Sequence, residues 1–427
     1  MTVRPRFQDW RIINAQALVT GRVVPGDPGR LVVEFRLWDV FAEQDLVGLK
    51  LSGAREAWRS IAHTMSDKIY ERLTGESGYF HTRIVYIAET GPPDLRIKRL
   101  AIMDQDGHNL RYLSDGRHLV LTPRFSPTAQ EITYLSYERG VPKVYLRDID
   151  TGQQELLGDF PGMTFAPRFS PDGNQVVMTM AQRGNSDIYE MDLRSRQVRQ
   201  LTNNPAIETA PCYSPDGAFI AFESDRGGSQ QIYVMRTRWE RRAPHHVRQG
   251  SLRNPALGVA ACESTPQDTG SSSGAGVDET ISSGTDVTST DVTIEEETTV
   301  AALDPSQPLP GSQEELVQNV GDRVFFEFDS AVLGAEARRT LDRQAEWLRL
   351  FPEIALVLEG HADERGTREY NLALGERRAN AVREYLITQG IAPSRLRTIS
   401  YGKERPYALG HNEEAWALNR RSVSVID

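Results

Sequence analysis

The run PRFSP at 123–127 returns as PRFSPDG at 167–173 and as PCYSPDG at 211–217, 44 residues further on each time. Other segments keep the register. EITYLS (131–136) matches QVVMTM (175–180) and AFIAFE (218–223). VYLRDIDTG (144–152) is followed by IYEMDLRSR (188–196) and IYVMRTR (232–238), with Tyr145, Tyr189 and Tyr233 in line. A weaker copy comes first, where LAIMDQDGHNL (100–110) echoes the last strand of a unit. Short strands parted by Pro-Asp-Gly turns at such a period are the pattern of propeller blades, small sheets that bury their faces only against one another. Three copies and a fraction fall short of the roughly four blades a closed ring needs, so unpaired sheet edges are expected.

A chain of 427 residues is too long for one ordinary core, and several units are expected. Residues 1–80 read as a small α/β unit. LVVEFRLWDV (31–40) alternates Leu31, Val33, Phe35 and Leu37 against Val32, Glu34, Arg36 and Trp38, the period of a strand. AREAWRSIAHTMSDKIYERLTG (54–75) sets Trp58, Ile61, Met65, Ile69 and Leu73 at helical spacing, with Gly75 where the helix should be capped. Residues 81–238 are then a partial propeller and 239–318 a junction and linker. WERRAPHHVRQG (239–250) is basic and patternless. The net charge of −10 is uneven: between Glu263 and Asp304 ten Asp or Glu stand with no Lys or Arg. That Ser-, Thr- and Gly-rich run cannot bury enough apolar surface to fold and is expected to be a disordered acidic linker. The remainder is near neutral, which argues against a nucleic-acid binder, for which a concentrated basic face is expected. No apolar run approaches the ~20 residues that span a bilayer.

Order returns in 319–427. RVFFEFDS (323–330), IALVLEG (354–360), LRTISYG (396–402) and RSVSVI (421–426) read as strands. ARRTLDRQAEWLRLF (337–351) and TREYNLALGERRANAVREYLITQG (367–390) read as helices, the first with Ala337, Leu341, Ala345 and Leu348 on one stripe. The order βαβαβ-β predicts a small α+β sandwich with two helices on one sheet. On the second helix Leu372, Ala379, Val382 and Leu386 form the core stripe, while Asn371 and Arg378 share a face ~10.5 Å apart. Asp363 lies in the Gly360–Gly366 turn just before. An anion, a cation and an amide so grouped suit a zwitterion, the carboxylate taking an ammonium and the guanidinium a carboxylate. The competing reading is that Asp363 caps the helix or pairs with Arg365 while Arg378 is solvated.

The FSPDG units, each followed by a strand and then an IYxMD-like strand, resemble the blades of the TolB family. NAQALVTGRV (14–23) and IYERLTGESGYFHTRIVYIAE (69–89) resemble that family's N-terminal α/β domain. The resemblance covers about residues 5–238. It implies six blades, where this chain has three copies and a fraction, and an N-terminal contact for TolA that is not seen here. GHADERGTREYNLALGERRANAV (360–382), with FFEFDS before it, YGKERP (401–406) and NRRSV (419–423), resembles the OmpA-like domain of the Pal family. That resemblance implies noncovalent binding of the meso-diaminopimelate of peptidoglycan, with Asp363, Asn371 and Arg378 as binding residues and Phe328 and Asp329 lining the cleft. Gly375, where serine is commoner, is a mild departure. PALGVAAC (255–262) then resembles the end of a lipoprotein signal, with Cys262 at the acylation position and an outer-membrane lipid anchor implied. The chain thus resembles a truncated TolB joined within 239–254 to a Pal, through a deletion, a frameshift or a misplaced gene boundary.

The implied partners are peptidoglycan and the Tol-Pal components TolA, TolB and Pal; no nucleic acid, cofactor, metal or catalytic residue is implied. An enzyme is not expected, since there is no G-x-S-x-G elbow and no H-E-x-x-H. His361 has no Cys or Ser nucleophile beside it and is expected to pack the turn. The implied compartment is the periplasm, associated with the outer membrane, although MTVRPRFQDW carries no apolar signal segment. The function expected is tethering of the outer membrane to the cell wall. The rival readings are a propeller scaffold of the Tol system with an inactive C-terminal domain, and a fusion without function.

Overall fold

The computed structural model describes residues 4–92, 95–237 and 308–427, in two compact units, Met1–Asp159 and Phe160–Asp427. The acidic linker and the Cys262 acylation position lie outside the described residues.

The first unit opens with α1 (Phe7–Arg11) and an antiparallel sheet of β1 (Ala17–Pro25), β2 (Arg30–Asp39) and β3 (Gln44–Ala54). The alternation in β2 is realised as far as Leu37, with Val33, Phe35 and Leu37 buried; Trp38, expected on the other face, is buried too, past an irregularity between Leu37 and Trp38. Helix α2 (Trp58–Thr74) ends at Gly75, whose φ of 79° is the left-handed cap a glycine accepts without strain. Only Ile61 of its expected stripe is fully buried; Trp58 and Leu73 at the two ends are exposed.

Sheets with the propeller pattern follow. In the first unit β4 (Arg83–Thr90), β5 (Ile97–Asp104) and β6 (Arg111–Tyr112) make one sheet. β7 (Val120–Phe125), β8 (Glu131–Ser136), β9 (Lys143–Asp148) and β10 (Gln154–Leu156) make the next. In the second unit come β11 (Met163–Phe169), β12 (Gln175–Gln182), β13 (Asn185–Asp192) and β14 (Val198–Gln200). β15 (Glu208–Tyr213), β16 (Phe219–Ser224) and β17 (Gln231–Arg236) make the last. The weak copy at 100–110 therefore belongs to a three-stranded sheet of its own. β16 starts one residue later than the matched AFIAFE, which restores the 44-residue register; a slip of one would turn every side chain to the other face.

The repeat extends to backbone geometry. Thr122, Ala166 and Ala210 all have left-handed φ (48°, 53° and 51°). Each sits at a bulge between the first two strands of its sheet. In the two SPDG turns Ser170 and Ser214 donate to Asp172 and Asp216 and accept the amides of Gln175 and Phe219 at 2.9 Å. The turn glycines Gly173 and Gly217 take φ of 73° and 68°.

In the C-terminal part α3 (Gln313–Glu315) leads into β18 (Arg323–Phe325), α4 (Ala335–Leu350), β19 (Leu356–His361), α5 (Arg368–Thr388), β20 (Leu396–Gly402), α6 (Glu413–Asn419) and β21 (Arg421–Ile426). The sheet order is β18-β21-β19-β20, with β19 and β20 parallel and β21 antiparallel to β18 and β19. The core joins Leu341, Ala345 and Leu348 of α4 to Ala379, Val382 and Leu386 of α5 and to Leu356 and Leu358 of β19. The βαβαβ-β expectation holds, but β18 stops early: after buried Phe326 the chain leaves the sheet, and Phe328 is 58% exposed. No helix among the described residues is long and apolar enough to cross a membrane.

Candidate functional site

β19 delivers His361 to the end of the sheet, a turn carries Asp363, and Thr367 restarts the chain as α5 by accepting the amide of Tyr370 at 3.2 Å. The helix cap is therefore Thr367, not Asp363. Asp363 is 4% exposed. It accepts the Arg365 amide at 3.0 Å, the Arg365 guanidinium at 2.6 Å and Arg420 Nη1 at 3.4 Å. Burial works to raise its pKa, but these donors outweigh it and hold the carboxyl below its usual range. The Asp363–Arg365 pair anticipated by the competing reading is present.

Arg378 is not a solvated residue; it is 0% exposed. Its Nε donates to Ser330 O at 2.8 Å, Nη1 to His361 O at 2.8 Å and Nη2 to Glu327 O at 3.1 Å. These bonds pin the 327–330 segment to the end of β19. Burial pulls the pKa of Arg378 down to about 10, with Asp363 and Asp329 opposing. Three of the five N–H groups of a guanidinium are used, which leaves two. Asn371, also buried, donates to Arg365 O at 2.8 Å and so braces the turn. Asp329 has a left-handed φ of 53° and accepts the Tyr370 hydroxyl at 2.6 Å. His361 is buried and stacked on Tyr401 with ring centroids 5.8 Å apart, and burial lowers its pKa. It packs the turn, as the sequence suggests.

Asp363, Asn371, Arg378 and Asp329 thus converge on one end of the sheet. Of the residues that finish the site, sequence reasoning named Phe328 and, as a partner of Asp363, Arg365, but missed Arg420 and Trp416. Arg365 lies between Phe328 (4.1 Å) and Trp416 (4.2 Å), its guanidinium over both rings. Arg420, 5% exposed, donates to Phe326 O, Asp363 and Glu413. Trp416 donates to Glu364 at 2.8 Å. The signal was available for Arg420, since NRRSV was singled out as a motif. Trp416 comes from a helix too short to mark its facing residue. The result is a buried carboxylate among three guanidinium groups, opening past an exposed phenylalanine. Such a site can hold a ligand that carries both charge signs.

α5 also touches the last two propeller-type sheets. Thr367 donates to Glu223 at 2.7 Å, and Arg377 donates to Gly184 O at 3.1 Å and Pro205 O at 2.9 Å.

The model of the TolB amino-terminal domain matches residues 2–46, that of the TolB beta propeller domain residues 70–255, and that of the OmpA family residues 325–420. The chain joins TolB-type domains to an OmpA-family domain. A curated Tol-Pal system protein TolB of Paramagnetospirillum magneticum is 65% identical over 154 residues, 36% of this chain and 34% of that protein. The chain therefore spans about a third of that relative's length. The crystal structure of TolB from Acinetobacter baumannii is 37% identical over 55% of this chain and 58% of its own, with a TM-score of 0.51. The peptidoglycan-associated lipoprotein from Burkholderia pseudomallei is 42% identical over 25% of this chain and 90% of its own, with a TM-score of 0.25. Among the described residues the TolB-type part has five sheets, four of them with the propeller pattern.

Proposed function

We infer that the chain is a non-enzymatic cell-envelope protein of the Tol-Pal type whose OmpA-family domain binds peptidoglycan noncovalently. The ligand group is the zwitterionic end of meso-diaminopimelate. Its ammonium goes to Asp363 and its carboxylate to the two N–H groups that Arg378 keeps after binding three carbonyls. The observation that carries this reading is the Asp363 carboxylate, buried yet held ionised, next to a guanidinium with donors to spare. Arg365 occupies Asp363 in the free site and swings out past Phe328 and Trp416 when the ligand enters. The domain would then act on the periplasmic side, tying the outer membrane to the wall, with TolA, TolB and Pal as partner candidates and Cys262 as the candidate anchor.

The test is co-sedimentation of the full chain with diaminopimelate-type peptidoglycan. Asp363→Asn removes the charge at nearly constant shape and should leave the protein in the supernatant. Arg365→Ala frees Asp363 and should pellet at least as well as the parent. A parent protein that stays soluble, or an Asp363→Asn variant that pellets equally, defeats the assignment.

A further inference from the structure

Two sheet faces of this chain repeat positions that are covered elsewhere in it. The strand registers align the sheets: the pair Tyr86–Ala101 in the first corresponds to Tyr134–Tyr145 in the second and Phe222–Tyr233 in the fourth. In that register Ile232 and Val234 of β17 stand where Leu100 and Ile102 stand on β5. Leu100 and Ile102 are 0% and 3% exposed, because Ile132, Tyr134 and Tyr145 of the second sheet cover them. Ile232 and Val234 are 41% and 39% exposed, with Phe219 beside them at 38%.

The matching face recurs on the first sheet. Ile132 and Ile220 are the residues that the second and fourth sheets press onto the sheet before them, and both are 0% exposed. Ile84 holds the same position on β4 and is 41% exposed, with Tyr86 and Met103 on its face only half-buried. Among the described residues no sheet covers either face.

We propose that a second copy of this chain does. The fourth sheet of one copy packs on the first sheet of the next, Ile232 and Val234 against Ile84 and Tyr86. This continues the interface already present between the third and fourth sheets, where Val177 and Ile188 meet Ile220, Phe222 and Tyr233. The occupant is another copy because the two exposed faces are the two halves of one repeating contact, and each chain carries one of each. The contact is head-to-tail, so it either closes a ring or extends a row. It does not depend on what the C-terminal domain binds.

Sedimentation equilibrium of the full chain over a range of concentrations tests it. The parent should associate, and Ile84→Glu and Ile232→Glu should each weaken association tenfold or more while keeping the parent's circular dichroism and melting. An equimolar mixture of the two variants should form a dimer and nothing larger, since one intact face of each kind remains. A parent that is monomeric at every concentration overturns the proposal. So does association of either variant alone at parental strength, or a mixture that stays monomeric.

Discussion

Arg378 binds three carbonyls as well as a candidate ligand, so its removal has two effects. Arg378→Ala would leave Ser330, His361 and Glu327 carbonyls without a donor in a dry site, at a cost of ~3–5 kcal/mol. Denaturant titration should show that loss with no ligand present. A loss of peptidoglycan binding in that variant alone would therefore say little about recognition, and Asp363→Asn is the cleaner probe. Glu376 makes a second residue-level prediction. It is 3% exposed, bonded only through Thr398 at 3.0 Å, and burial lifts its pKa from 4.5 to about 7. Between those values the folded state holds a proton that the unfolded state has lost, so stability falls as pH rises from 4.5 to 7 and is level above. The loss is about 3 kcal/mol. Glu376→Gln should remove this slope and raise the melting temperature at pH 8; an unchanged slope would contradict the assignment. Asp363 works the other way, its contribution fading as pH falls through its depressed pKa.

At the scale of the element, α5 explains what its sequence hid. Seven residues from Tyr370 to Glu376 are buried without a break, and no amphipathic stripe describes that. The cause is close approach on one side and polar satisfaction on the other. A Cβ on Gly360 would meet Gly375 O at 1.8 Å, and one on Gly375 would meet Ser400 Oγ at 2.3 Å. Helix and strand touch through two glycines, and the Ser400 hydroxyl fills the gap by donating to Leu372 O at 2.7 Å. Gly375→Ser, which would restore the commoner family residue, should here destabilise by ~1–3 kcal/mol, read as a lower midpoint in urea. Pairing it with Ser400→Gly should recover part of the loss. The sequence made the helix and its Leu372, Ala379, Val382 and Leu386 stripe legible, because periodicity reports apolar burial. It left Arg378 ambiguous, because a charge that buries itself against carbonyls leaves no periodic trace.

For the whole molecule the repeat was legible almost completely, and for a physical reason. Sheets that pack on one another present apolar residues at matching positions, and three of them repeat the same bulge against their own second strand, so the spacing of 44 is enforced at many positions at once. What the spacing could not report is the contact of the propeller-type sheets with α5, because α5 lies outside the repeat. Arg377 carries most of it, with carbonyls of Gly184 and Pro205 as acceptors and Asp225 3.8 Å away. Burial lowers the Arg377 pKa while Asp225 opposes the shift, as a desolvated cation between two packed surfaces should show. Arg377→Ala should therefore loosen the 183–185 and 203–206 loops without touching the core of either sheet or helix. Hydrogen exchange on the full chain reads this directly. Amides of those loops should exchange several-fold faster in the variant, while those of β12 and β19 keep their protection. Equal exchange in all four segments would mean that the contact contributes nothing to holding the OmpA-family domain against the sheets.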